Sequence, residues 1–345
     1  MKILCFMPNY IGDVLMTTPA IRVLKKFLNN AEIYVVLKPN LIDLIKYNPN
    51  IDKVILKISQ LITIKEVCKM KPNYIILFRS TFFNSFVSFL SNPKASFGID
   101  EELSKLFVKK VLSKDISRPY RGECLLLAEK LFEYLGIIRK IDTQELKKLD
   151  FFGWNKDDIK FSLEKKLEEV RIDRSKKIII VSPYASRKTK MLAVEQYVEL
   201  VEILYEKLNK EYEIVIIGRD DRYFIIEKIL ARFKNSIKSL CGKINLLELG
   251  YLFSISSLVF SADSGPAYIS EAVGTKTIIF FTSTLPEKYG PFGENVEFVY
   301  TPVLCSPCYK DECKYKTYKC IKEINIQEII SKIMNLLERN GKDFN

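Results

Sequence analysis

The sequence predicts an α/β protein of two nucleotide-fold domains, their parallel sheets facing a central cleft. Three observations lead there. Short apolar segments alternate with helical patterns in both halves of the chain, the signature of βαβ units and a parallel sheet. Each half carries one strand that runs into a glycine turn opening a helix: residues 8–19 after the apolar run 2–6, and residues 261–268 after the run 258–260. In α/β proteins such junctions, at the carboxyl ends of parallel strands, are where ligands sit. Finally, 345 residues suffice for two domains with a core each.

Taken in order, the first half predicts strands at 2–6, 32–37, 53–56, 74–78 and 95–99. Between them lie helices at 14–28, 41–47, 64–70 and 84–90, then a longer amphipathic helix at 123–135 with Gly136 as its stop. Residues 142–177 are charged and weakly periodic; they read as the connection between domains plus a charged helix at 163–170. The alternation then restarts: strand 178–182, helix 194–208, strand 213–217 and helix 221–233. Helix 246–256, strand 258–261, helix 266–273 and strand 277–281 follow. An amphipathic helix at 327–337 is expected to pack back across the domains. The domain division expected is 1–170, 171–325 and a terminal segment 326–345.

Hydrophobic content of 48% and charged content of 28% fit a globular chain. No run approaches the roughly 18–20 apolar residues a bilayer crossing needs, and Pro8, Asn9, Gly12 and Asp13 interrupt the amino-terminal apolar stretch. A cytoplasmic protein is expected. The net charge of +12 fits solvated helix faces or attraction to an anionic partner such as phospholipid headgroups. No basic tract with interleaved aromatics supports nucleic acid as a partner. The chain has no histidine, which excludes Ser-His-Asp and Cys-His catalysis and any histidine-ligated metal.

Four places carry the candidate chemistry. Gly12 allows a tight turn, and Asp13 is either the cap of the following helix or a carboxylate placed to take a proton from a hydroxyl. Thr17 either lines the same cleft or shapes the helix. The turn Asp263-Ser264-Gly265-Pro266 opens a helix whose free N–H groups suit phosphate oxygens; Asp263 is expected to hold the loop or meet a sugar hydroxyl. The loop 183–190 holds Ser186, Arg187, Lys188 and Lys190 and suits a diphosphate. Neither a Gly-x-Gly-x-x-Gly fingerprint nor a phosphate-binding P-loop sequence is present, so a dehydrogenase is disfavoured. Cys305, Cys308, Cys313 and Cys320 lie close in sequence and suit a zinc ion, an iron–sulfur cluster, disulfides or reduced thiols.

Residues 10–21, from Tyr10-Ile11-Gly12-Asp13 to Ala20-Ile21, resemble the amino-terminal signature of the glycosyltransferase family 9 heptosyltransferases. Asp263-Ser264-Gly265-Pro266, the segment 272–277 and Tyr289-Gly290-Pro291 resemble that family's donor-side signature. Pro8-Asn9-Tyr10 is closer to the heptosyltransferase II branch. The resemblance implies a GT-B fold, the acceptor on the first domain and ADP-heptose on the second. It implies inverting transfer of heptose to the inner core of lipopolysaccharide, without a required metal or other cofactor.

Carried over residue by residue, Asp13 matches the family's general base and Lys190 the lysine that contacts the donor diphosphate. Ser264 and Gly265 match the phosphate turn, and Ser186 and Asp221 fall on the donor side. By position in the first domain, and not by a family motif, Arg79, Ser80, Asn84 and Arg121 are expected to meet the acceptor, a lipid A–Kdo/heptose glycolipid in an anionic inner membrane. The family often has histidine three residues after the turn glycine; this chain has Tyr268, which donates a hydrogen bond but carries no charge near neutrality. Two alternatives follow: a relative using another nucleotide sugar or acceptor, and a catalytically silent glycolipid-binding protein.

Overall fold

The computed structural model describes residues 1–101, 104–113, 115, 117–139, 141–219, 223–233 and 236–339. The chain divides into two compact units, Met1–Phe152 and Gly153–Asn345. The first contains β1 (Lys2–Phe6), α1 (Ile11–Phe27), β2 (Glu32–Leu37), β3 (Lys53–Leu56), α2 (Gln60–Met70), β4 (Tyr74–Leu77), α3 (Phe82–Leu90), β5 (Ala95–Ile99), β6 (Lys110–Leu112) and α4 (Tyr120–Tyr134). The second begins with α5 (Asp157–Glu169), β7 (Lys177–Ser182), α6 (Val194–Leu208), β8 (Tyr212–Ile216), α7 (Tyr223–Phe233), β9 (Lys238–Ser239) and α8 (Leu246–Ser254). It continues with β10 (Leu258–Ala262), α9 (Gly265–Val273), β11 (Thr277–Phe281), α10 (Pro286–Tyr289), β12 (Val296–Tyr300), α11 (Lys319–Lys322) and α12 (Ile326–Glu338).

Both sheets are parallel and have six strands, in the orders β3-β2-β1-β4-β5-β6 and β12-β11-β10-β7-β8-β9. The two orders are the same topology. Each chain segment builds outward from its first strand, returns to the centre and builds outward on the other side. The neighbours β1 and β4, and likewise β7 and β10, flank a topological switch point, where the loops at the carboxyl ends part to opposite faces and leave a crevice.

The central strands are apolar because helices cover both of their faces: residues of β1, β4, β7, β10 and β11 form much of the core. In α12, Ile326, Ile329, Ile330, Ile333, Leu336 and Leu337 are buried, a helical-period stripe facing α6 and the β11–β12 edge. Thus α12 packs on its own unit, where the sequence had it packing back across the domains.

The charged helix predicted at 163–170 is α5, and it is no linker. Lys166 Nζ and Ser162 Oγ both reach Glu248 Oε1 on α8 at 2.6 Å. The division therefore falls before α5, not at residue 170. The strands missed by the sequence pattern, β6, β9 and β12, are short or mixed in polarity and sit at or next to sheet edges. The helix predicted at 41–47 is a 3-10 turn at Pro39–Leu44. Among the described residues no helix is long and apolar enough to cross a membrane.

Candidate active site

The switch point of the second unit lies between the loop after β7 and the turn after β10. Lys190 ends the first and Asp263 opens the second. Their side chains form an ion pair, Nζ to Oδ2 at 2.6 Å, and Nζ also lies 3.2 Å from the Asp263 carbonyl. Asp263 is buried, and the Lys190 side chain keeps 15% of its surface. Thr284, just beyond β11, donates to Oδ2 at 2.6 Å, and Tyr268 on α9 donates to Oδ1. The Lys190 ammonium also lies 5.9 Å from the Tyr289 ring centroid. Burial alone would raise the Asp263 carboxyl; the Lys190 charge and the Lys190, Thr284 and Tyr268 hydrogen bonds outweigh it and hold it below the usual carboxylate range.

The fold brings Lys190 and Asp263, two separate candidates in the sequence, into contact. Ser264 is the N-cap of α9 without a side-chain cap bond, Gly265 is the first helical residue, and Pro266 follows in the same turn. Tyr268, expected to donate to phosphate, is buried and spends its hydroxyl on Asp263 instead. It is a positioning residue for the ion pair. Thr284 was missed by sequence reasoning; the signal was a hydroxyl just past a central strand's carboxyl end.

The remaining cations of the 183–190 loop face the cysteine-bearing segment. Arg187 donates to the Tyr309 carbonyl at 3.0 Å and pairs with Asp311, and Lys188 pairs with Glu312 at 2.7 Å. Thr189 donates to the Lys310 carbonyl. This loop is thus anchored by residues 309–312 rather than free around a diphosphate. Ser186 is exposed. Asp221 lies outside the described residues.

Cys305, Cys308, Cys313 and Cys320 line one cavity of about 190 Å³ together with Thr189 and Lys310. All four are free thiols. Among the described residues no group of three or more acidic or thiol side chains is arranged to hold a metal ion.

In the first unit, the switch point lies between β1 and β4. Helix α1 starts at Ile11, with Tyr10 as an extended N-cap lacking a side-chain cap bond. This corrects the cap reading of Asp13 and the turn reading of Gly12: both lie within the first helical turn, Gly12 buried and Asp13 half-buried. A carboxylate there is favoured by the positive end of the helix dipole. Thr17 shapes the helix and does not line a cleft. It is buried, donating to the Val14 carbonyl at 2.7 Å. Pro19, inside α1, leaves the Leu15 carbonyl without its amide donor, and the Thr18 hydroxyl fills that place at 2.7 Å.

On the other side of this switch point, Arg79 follows β4, is exposed and lies 3.4 Å from Glu101. Ser80 is buried, its amide donating to Glu101. Asn84 is buried too; it donates to the Arg79 carbonyl at 2.9 Å and accepts from Lys57 Nζ at 3.0 Å. Lys57, at the end of β3, was not singled out by the sequence. Burial and the nearby Lys38 charge hold its ammonium below the ordinary lysine value. Arg121 is a correction: it is only 1% exposed, and its guanidinium donates to the Leu146 carbonyl. It ties α4 to the chain beyond it and does not present to an acceptor.

A model of glycosyltransferase family 9 (heptosyltransferase) matches residues 64–319. Lipooligosaccharide heptosyltransferase 2 of Campylobacter jejuni is 24% identical over 351 residues, covering 99% of both chains. The structure of E. coli ADP-heptose LPS heptosyltransferase II superposes with a TM-score of 0.78 at 15% identity, covering 99% of each chain. A family 9 glycosyltransferase from Veillonella parvula gives 0.80 at 18% identity, covering 98% of this chain and 97% of that one. These likenesses establish the two Rossmann-like units as a GT-B fold, and the family match covers well over half of the sequence. The chain belongs to glycosyltransferase family 9, the heptosyltransferases.

Proposed function

We propose that this glycosyltransferase moves heptose from ADP-L-glycero-D-manno-heptose to the inner core of lipopolysaccharide, with inversion at the anomeric carbon. The acceptor is a lipid A–Kdo/heptose glycolipid, met by an enzyme that is cytoplasmic and peripheral to the anionic inner membrane. The observation that carries the reading is Asp13, a half-buried carboxylate in the first turn of α1 at the switch edge of the first sheet. In the reaction proposed, Asp13 takes the proton of the acceptor hydroxyl while that oxygen bonds to the anomeric carbon. The bond from that carbon to the diphosphate oxygen breaks, and ADP leaves with the electron pair. The backbone N–H groups at Ser264 and Gly265 and the charge of Lys190 stabilise the departing diphosphate. Asp263, Thr284 and Tyr268 keep Lys190 in place for that role.

Turnover tests this reading: ADP release from ADP-heptose in the presence of heptosyl-Kdo₂-lipid A, against release without acceptor. Acceptor-dependent release is expected. Tyr268 supports one second reading, a relative that uses another nucleotide sugar, because its hydroxyl is engaged by Asp263 and not available to the donor. In a competition series of nucleotide sugars, tighter binding of one other than ADP-heptose, with no heptosyl transfer, favours that second reading.

A further inference from the structure

Helix α3 has apolar residues on two sides. Val87 and Phe83 pack into the core beside the buried Asn84, Ser85 and Ser88, while Phe82, Phe89 and Leu90 stand exposed, Phe89 by 57%. Among the described residues the buried Ser85 and Ser88 hydroxyls meet no hydrogen-bond partner. A surface helix ordinarily turns its apolar stripe to the core, and buried unpaired hydroxyls cost stability. The outward face of α3 is therefore unfavourable for a helix that meets only water.

The outward stripe is ordered. Phe82, Phe86 and Phe89 recur at helical spacing, and the Phe107 ring packs against all three at 5.5, 5.7 and 5.9 Å. Helix α2 packs beside α3 and adds Leu61 and Ile62 at its amino-terminal end, Leu61 being 73% exposed. Leu106, next to Phe107, is 67% exposed. Single exposed apolar residues need no explanation, but rings gathered on one neighbour, as Phe82, Phe86 and Phe89 are on Phe107, mark a binding surface.

Charge selects the occupant. Residues 57–112 carry nine lysines and arginines against four carboxylates, and Lys65, Lys69 and Lys94 are exposed on the same helices and the turn beyond them. Aromatic and aliphatic side chains rimmed by lysines fit the interface of an anionic bilayer, where rings enter the headgroup boundary and ammonium groups meet phosphates. Position agrees with this. Helices α2 and α3 start at the carboxyl ends of β3 and β4, the sheet edge at which α1 starts with Asp13.

We propose that the α3 stripe, with the start of α2 and Leu106, is the surface by which this protein docks on anionic membrane. The proposal rests on the membrane contact of the function reading only for its biological setting; the docking itself needs no sugar. The full chain is floated with vesicles of phosphatidylethanolamine and phosphatidylglycerol, and in parallel with phosphatidylcholine alone. Leu61→Ser, Phe89→Ser and Leu90→Ser are combined in one variant. These exposed positions lie outside the proposed catalytic and donor-binding groups, and circular dichroism checks the fold.

Wild type is expected on the anionic vesicles, released by salt, with weaker binding to phosphatidylcholine. The triple variant is expected to lose affinity by at least about tenfold. Equal binding by the variant, or no binding by wild type, overturns the proposal. So does light scattering that finds a wild-type dimer which the variant turns into monomer, since the stripe would then be a contact between copies. Failure of heptosyl transfer leaves the flotation result standing, and failure of flotation leaves transfer to a detergent-dispersed acceptor standing, so the two readings are separable.

Discussion

Replacing Lys190 by methionine isolates the electrostatics of the second unit's switch point. The substitution keeps an unbranched chain of similar length and removes the charge that faces Asp263 at 2.6 Å. Breaking one side of a buried ion pair typically costs about 3–5 kcal/mol. Thr284 and Tyr268 still donate to the carboxylate, so the lower end, about 3 kcal/mol, is expected. Asp263→Asn costs less, about 2 kcal/mol, because Lys190 retains some solvent and the residue 263 carbonyl.

The double variant should fall short of the sum by at least about 1 kcal/mol, since each single change strands the other partner. Urea unfolding followed by Trp154 fluorescence reads this directly, because the chain's one tryptophan lies in the second unit. The pH dependence has a definite sign. A folded-state carboxyl held below its unfolded value contributes stability fully present above about pH 3.9, and that stability is lost as pH falls through the lower folded value. In Lys190→Met only the Thr284 and Tyr268 hydrogen bonds still oppose burial, so the Asp263 carboxyl rises and the acid loss begins at higher pH. A Lys190→Met variant within about 1 kcal/mol of wild type at pH 7, or strict additivity with Asp263→Asn, refutes this reasoning.

Three further outcomes follow from the same geometry. Tyr268→Phe leaves Asp263 Oδ1 without its hydroxyl donor and should cost about 1–2 kcal/mol in the same unfolding assay; no loss would remove Tyr268 from the positioning role. In Gly290→Ala the new Cβ falls 2.1 Å from the Pro286 carbonyl oxygen, so α10 must shift and carry Tyr289 with it. The melting temperature is expected to drop and the hydrogen exchange of α10 to rise, whereas an unchanged variant contradicts the tight approach. Among the thiols, Cys313 is half-buried and lowered by hydrogen bonds, foremost from the Tyr318 backbone, while burial pushes Cys5 up to about 12. Limited alkylation followed by peptide mapping should therefore label Cys313 early and Cys5 only on unfolding; equal labelling of the two contradicts this order.

Much of the frame is legible in the sequence because apolar runs such as 3–6, 75–77 and 178–181 are buried on both faces and bounded by turns. Edge strands escaped: Lys110–Leu112 and Lys238–Ser239 gain their shape from a neighbouring strand, not from their own pattern. The two strand-to-helix junctions, after β1 and after β10, were legible, but the side-chain contacts made within them were not. Tyr268 and Thr284 matter through a carboxylate that only the fold brings to them, and Arg121, expected on the acceptor side, is buried with its guanidinium on the Leu146 carbonyl. The second, outward apolar stripe of α3 is also invisible in one dimension. Its period marks a helix, and the period alone assigns the apolar face to the core.

The central claim is that Asp13 is the base of a heptosyl transfer. The most direct measurement is acceptor-dependent ADP release with ADP-heptose and heptosyl-Kdo₂-lipid A for wild type and Asp13→Asn, with donor affinity measured alongside. The expected result is a fall of at least about a hundredfold in turnover with ADP-heptose affinity unchanged. Turnover in Asp13→Asn close to that of wild type would contradict it.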